Sequence, residues 1–144
     1  MPTKFLITGA LAAILGFTSL PASANSVWIE QYGHANGAGG HQGGARNEIG
    51  VYQNGWRNNA IARQHGRQNV GAIGQQGRKN RAETHQRGRH NAAGIAQFGY
   101  GHDAKLNQRG EGNIAAGVQV GKNCDANASQ SGRGNVAAFV QTCR

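Results

Sequence analysis

Six acids, six histidines and two cysteines are the side chains of this 144-residue chain best equipped for chemistry. The acids Glu30, Glu48, Glu83, Asp103, Glu111 and Asp125 show no pairing suited to general acid–base work, which needs proton-transfer groups within reach of one substrate. The histidines His34, His41, His65, His85, His90 and His102 are scattered and lack the tight spacing of metal ligands. No nucleophile has a base partner. Gly99 and Gly101 precede no helix, so they do not make a phosphate loop. These patterns argue against an enzyme and call for no cofactor and no metal.

Chemistry of a different kind is written in the amides. Gln recurs at Gln31, Gln42, Gln53, Gln64, Gln75, Gln86, Gln97, Gln108, Gln119, Gln130 and Gln141, every step being 11 residues. Two residues after each of the first ten stands Gly: Gly33, Gly44, Gly55, Gly66, Gly77, Gly88, Gly99, Gly110, Gly121 and Gly132. Asn stands at Asn25, Asn36, Asn47, Asn58, Asn69, Asn80, Asn91, Asn113 and Asn135, and the same slot is filled by His102 and Cys124 in two units. Ala is usual two residues after the Asn slot, giving the motif Q-x-G-x-x-N-x-A-x-φ-x-Q with φ often aliphatic. Such a period is the signature of a repeat architecture.

The elements that must position these amides follow from the spacing. Asn, Ala, φ and Gln alternate at every second residue, the period of a β-strand with one specified face. The remaining x-G-x-x makes a bend, where Gly supplies a backbone conformation that other residues resist. Eleven seven-residue strands are expected, from 25–31 to 135–141. A hairpin meander would pair each with its neighbour. A flattened all-β solenoid would instead stack strand n on strand n+2, in two parallel, in-register, amyloid-like sheets. Stacking at 22 residues sets Arg81 beside Asp103 and Glu83 beside Lys105, which favours the solenoid. It also sets Gln over Gln and Asn over Asn, so that the side-chain amides bond in ladders.

Composition sets the limits around this core. The chain carries 24 Gly, only 6% aromatic residues and a formal net charge of +9. A bulky hydrophobic core is not on offer, and without the periodicity the composition would read as low-complexity. The first residues read as an address. Lys4, the apolar run Phe5 to Leu20, Pro21 and Ala22-Ser23-Ala24 form a secretory signal peptide over 1–24, cleaved after Ala24, ahead of a single repeat domain over 25–144.

The repeat closely resembles the curlin repeat of bacterial curli subunits, over Asn25 to Gln141. The resemblance implies secretion through a dedicated outer-membrane pore with assembly factors, and partnership with itself and other curlin subunits. It further implies nucleated growth of a cell-surface amyloid fibre serving adhesion and biofilm matrix. Two features depart from the major subunits of that family. No Gly-rich leader separates the expected cleavage point from the repeats, and the chain is basic where major subunits tend to be acidic. The charge leans toward a minor, nucleator-like subunit, and both roles remain open.

The outer faces differ. Odd strands turn outward Val70, Ala72, Ala92, Ala96, Ile114, Ala116, Val118, Val136, Ala138 and Val140, an apolar face toward the C-terminal half. Even strands turn outward mainly polar or charged residues. Most cations fall in the arcs, where Arg67 stacks near Arg89 and Arg87 near Arg109. Such columns suit a polyanion, either extracellular DNA or an anionic polysaccharide, as well as simple solubility. A soluble secreted solenoid that binds polyanions is therefore the competing function. Cys124 and Cys143 fall at one edge, one rung apart, and are candidates for a disulfide; the competing reading is a thiol that links subunits.

Overall fold

The computed structural model describes residues 24–144. The export signal expected over 1–24 lies, but for Ala24, outside the described residues. The described residues form eleven strands: β1 (Ser26–His34), β2 (Gly37–Ala45), β3 (Glu48–Trp56), β4 (Asn59–Arg67), β5 (Val70–Arg78), β6 (Arg81–Arg89), β7 (Ala92–Tyr100), β8 (Asp103–Glu111), β9 (Ile114–Lys122), β10 (Asp125–Arg133) and β11 (Val136–Cys143). Odd strands make a six-stranded sheet in the order β1-β3-β5-β7-β9-β11. Even strands make a five-stranded sheet in the order β2-β4-β6-β8-β10. Every pairing is parallel and joins residues 22 apart, such as Gln53 with Gln75 and Arg81 with Asp103. The fold is a β-solenoid of about five turns.

The strands are longer than the motif suggests. Ten of them have nine residues, running past Gln and Gly to the residue after, so that only two residues remain outside the ladders in each bend. The reason lies in the stacking. Parallel copies of one bend keep their backbone groups aligned along the axis, so hydrogen bonding continues around the corner instead of stopping at it. Within each corner two residues carry positive φ. One is the motif Gly, from 101° at Gly44 to 131° at Gly99; the other stands just before the Asn slot, as at Gln68 (54°) or Gly101 (69°). A Cβ on Gly88 would also overlap the carbonyl oxygen of Gly110, one rung on. Both torsion and crowding therefore require glycine in that column.

The sheets meet across a thin core. Ile49, Val51, Ala60, Ala62, Ile73, Ala82, Ala93, Ile95, Ala104, Leu106 and Ala115 are its buried apolar residues. Small side chains at the Ala position let the sheets approach closely. The same interior holds buried amides from Asn47 to Gln119, so half of the packing is polar and must be hydrogen-bonded.

Candidate functional site

The most organised chemistry of the molecule is its interior amide array. In the six-stranded sheet the Nε2 of Gln31, Gln53, Gln75, Gln97 and Gln119 each donates to the Oε1 of the Gln one rung on, ending at Gln141, over 2.6–3.0 Å. In the five-stranded sheet Gln42, Gln64, Gln86 and Gln108 do the same, ending at Gln130, over 2.7–3.0 Å. From Gln42 onward the second N–H of each amide crosses to the facing sheet. Gln97 donates to the Arg81 carbonyl (2.7 Å) and Gln86 to the Val70 carbonyl (2.8 Å). One Gln thus extends its own column and ties the two sheets together, leaving no amide hydrogen unused in the middle of the stack.

The Asn column makes a second set. The backbone N–H of Asn69 donates to Asn47 Oδ1 (3.1 Å), and that of Asn91 to Asn69 Oδ1 (3.2 Å). Asn69 Nδ2 donates to the carbonyl of Gly88 and Asn91 Nδ2 to that of Gly110, which fastens the tight corners. Asn25, Asn36, Asn58, Asn80, Asn113 and Asn135 take the equivalent places. His102 substitutes for Asn without breaking the column. Its N–H donates to Asn80 Oδ1, its Nδ1 accepts the Cys124 N–H (3.2 Å), and its Nε2 donates to the Phe98 carbonyl (3.1 Å). The sequence carries this signal only as an aromatic nitrogen in an Asn slot.

Cys124, in the next Asn slot of that column, is joined to Cys143 by a disulfide with a Cα separation of 5.6 Å. Cys143 occupies the place of a motif glycine, stacked on Gly121. The bond fastens the terminal strand to the body at the edge where a rung has a neighbour on one side only. The arc glycines Gly33, Gly44, Gly55, Gly66, Gly77, Gly88, Gly99, Gly110, Gly121 and Gly132 form two columns of their own, one to each sheet.

On the outside the sheets part company. The six-stranded sheet exposes Val70, Phe98, Ile114, Val120, Val136 and Val140. Its apolar character also reaches the other end through Trp28, Tyr32 and Tyr52, further than the expected C-terminal half. Arg78 stacks over Trp56 at 5.9 Å at the corner of the same sheet.

The five-stranded sheet carries a shallow trough of about 680 Å³, with Arg63, His65, His85, Arg87 and Arg109 along it. Glu83 sits at its flank. It pairs with Arg63 (2.8 Å), accepts a hydrogen bond from His85, and lies 3.8 Å from Lys105. The His85 hydrogen bond, helped by the charges of His85, Lys105 and Arg63 against the opposing effect of burial, holds its carboxyl below the usual value. Arg81 and Asp103 are register partners, yet they form no ion pair; of the two expected charge contacts only Glu83–Lys105 closes, and Arg63 is the nearer cation. No cluster of His, Cys, Asp and Glu fit to hold a metal ion occurs among the described residues.

A parallel β-solenoid with continuous interior amide ladders is a structural scaffold. The family model described as the curlin associated repeat matches residues 80–110, from the residue before β6 to the last but one of β8. Over that stretch the chain is similar to the curlin associated repeat, which supports a place for it among curlin-type proteins. No curated protein matches it.

Proposed function

We propose that the chain is exported, processed after Ala24, and built into a curli-type amyloid fibre at the cell surface, where it serves adhesion and biofilm matrix. The observation that carries this reading is that, among the described residues, the strands at both ends of the stack have a free edge. At β1 and β2 one set of strand edges has no strand beside it among the described residues, and no described side chain donates to Gln31 or Gln42 Oε1 along the axis. At β10 and β11 the opposite edges end on Gln130 and Gln141, whose Nε2 groups bond only across to Ile114 and Asp125. Open edges of this kind template further strands, and identical segments stacked in register are the cross-β arrangement. Its partners are then further copies of itself and other curlin subunits. An outer-membrane pore and assembly factors complete the route by family resemblance.

Incubating the purified chain with an amyloid-binding dye, alone and with another curlin subunit, tests the reading. Growth of fibres giving cross-β spacings is the expected result. A chain that stays monomeric when concentrated, and neither seeds nor joins a partner's fibres, contradicts it.

The trough supports a second activity. Arg87 and Arg109 are register partners on adjacent rungs, about 4.8 Å apart along the axis, with His65 one rung before them in the same column. Like charges so close repel unless an anion neutralises them. A linear polyanion, DNA or an acidic polysaccharide, laid along the axis would do so, with affinity that falls steeply with salt. Retention of DNA at low salt and its loss on Arg87→Ala with Arg109→Ala is the expected outcome. Unchanged retention by that double variant would remove this second activity.

A further inference from the structure

The number of strands settles how two copies can meet. Each strand with its corner is a half-turn of the solenoid, so strand n lies on one sheet and strand n+1 on the other. The described residues make eleven such half-turns, an odd number. The half-turn following β11 therefore belongs on the five-stranded sheet, above β10. We propose that a second copy of this chain continues the solenoid by placing its β1 on β10 and its β2 on β11. Successive copies are then related by a half-turn, and the six-stranded sheet of one copy runs into the five-stranded sheet of the next. This rests on the fibre reading and adds the geometry of the contact.

A knob and a hole choose this docking over its rival. Phe139 points inward from β11, half-buried, in a column that otherwise holds Ile29, Val51, Ile73, Ile95 and Gly117. Directly beneath it is Gly117, where a Cβ would overlap the Phe139 ring. The ring therefore fills the space of two positions and needs a glycine beside it. In the half-turn docking the residue laid on Phe139 from the next copy is Gly40, which is exposed at the free edge of β2. Without the half-turn, β1 would lie on β11 and Ile29 would be laid on Phe139. That lays a branched side chain on a ring whose one neighbour in the column within its own copy is a glycine. It also leaves the strand place above β10 empty.

The remaining edge groups agree with the half-turn. Val27 and Ile29 face inward from β1 yet are 49% and 41% exposed. The docking lays them on Ala126 and Ala128 of β10. Ladder polarity is preserved as well. Gln130 Nε2 meets Gln31 Oε1, Gln141 Nε2 meets Gln42 Oε1, and the Asn36 N–H meets Asn135 Oδ1, each following the donor-to-acceptor direction within one copy. Contacts of this head-to-tail kind do not close on themselves, and they build filaments.

Electron cryo-microscopy of fibres grown from residues 25–144, which hold all eleven strands, reads the geometry directly. Two strands per rung of about 4.8 Å predict a rise of about 26 Å per copy with a half-turn between copies. A rise of about 29 Å without rotation, six full rungs, would overturn the inference and leave the fibre reading standing. Absence of any fibre would overturn both. A paired substitution tests the contact itself. Gly40 has ordinary backbone torsions, and a Cβ there meets only side-chain atoms, the nearest being Val27 Cγ1 at 3.2 Å on the half-exposed end strand, so Gly40→Leu is expected to fold, as checked by circular dichroism, while elongation slows about tenfold or more through overpacking against Phe139. Adding Phe139→Ala to the same chain should recover most of that rate. Elongation of Gly40→Leu at the parent rate, or no recovery in the double variant, would contradict the knob and hole.

Discussion

The two sheets are alike on one side and opposed on the other. Facing inward, both present Asn or its substitute, a small residue, a φ-position residue and Gln, in register, rung after rung. Facing outward, the six-stranded sheet shows valines, isoleucine and aromatics, whereas the five-stranded sheet shows Arg63, Glu83, His85, Lys105 and Arg109. The fold therefore depends on the inward set, in which Gln recurs in all eleven strands while other places vary, as at His102, Cys124 and Thr84. The outward set is free to diverge, and it is where this chain's surface chemistry resides.

Corner glycines should give the largest effect, and an equal one in both sheets. Gly88→Val in the five-stranded sheet and Gly77→Val in the six-stranded one each meet a carbonyl oxygen one rung on, besides a positive φ. Both variants should lose the cooperative unfolding transition, while the adjacent Arg89→Ala keeps it. A large difference between the two glycine variants would break the equivalence of the inward faces.

Gln97→Leu and Gln86→Leu come next. Each leaves the Gln before it without an acceptor and the Gln after it without a donor, and removes a bond to a carbonyl of the facing sheet. A loss of about 3 kcal/mol or more is expected in denaturant titration, given about 1–3 kcal/mol for each buried group left unpaired. Outward neighbours Phe98→Ala and Arg87→Ala should stay within about 1 kcal/mol of the parent.

Thr84 sharpens the comparison by exception. It is fully buried in the apolar column of the five-stranded sheet, and its hydroxyl has no hydrogen-bond partner. Thr84→Val keeps the shape and removes that group, so it should raise stability by about 1 kcal/mol. Unfolding midpoints decide it, and a drop would mean the hydroxyl is bonded.

The smallest effect should be confined to the wet face. Glu83 has a lowered carboxyl pKa in the folded chain. Its stabilising contribution is thus present above the unfolded carboxyl value of about 4.3 and is lost as pH falls through the folded value. Stability measured from pH 6 down into this acid range should fall less for Glu83→Gln than for the parent.

Much of this architecture was legible because period and chemistry coincide. Gln at every eleventh residue fixes strand, corner and column together, and the 22-residue register follows from charge placement and repeated amides. What escaped was local. Nine-residue strands were not legible because stacked corners continue the ladder, a property of neighbours rather than of the motif. Left-handed residues before the Asn slot carry little signal, since Arg46, Arg57, Gln68 and Lys79 occupy them as well as Gly101. The cross-sheet bonds from Gln to backbone carbonyls depend on the depth of a flattened turn, which no spacing reports. Phe139 over Gly117 is visible as a large and a small residue 22 apart, but its meaning needs the rung contact.

Hydrogen exchange of the glutamine side-chain amides, resolved by NMR, tests the central claim most directly. If buried ladders hold the fold, the amides of Gln53, Gln64, Gln75, Gln86, Gln97, Gln108 and Gln119 should exchange orders of magnitude more slowly than free glutamine, with faster exchange at Gln31 and Gln42. Exchange of all eleven at the rate of a solvent-exposed amide would contradict it.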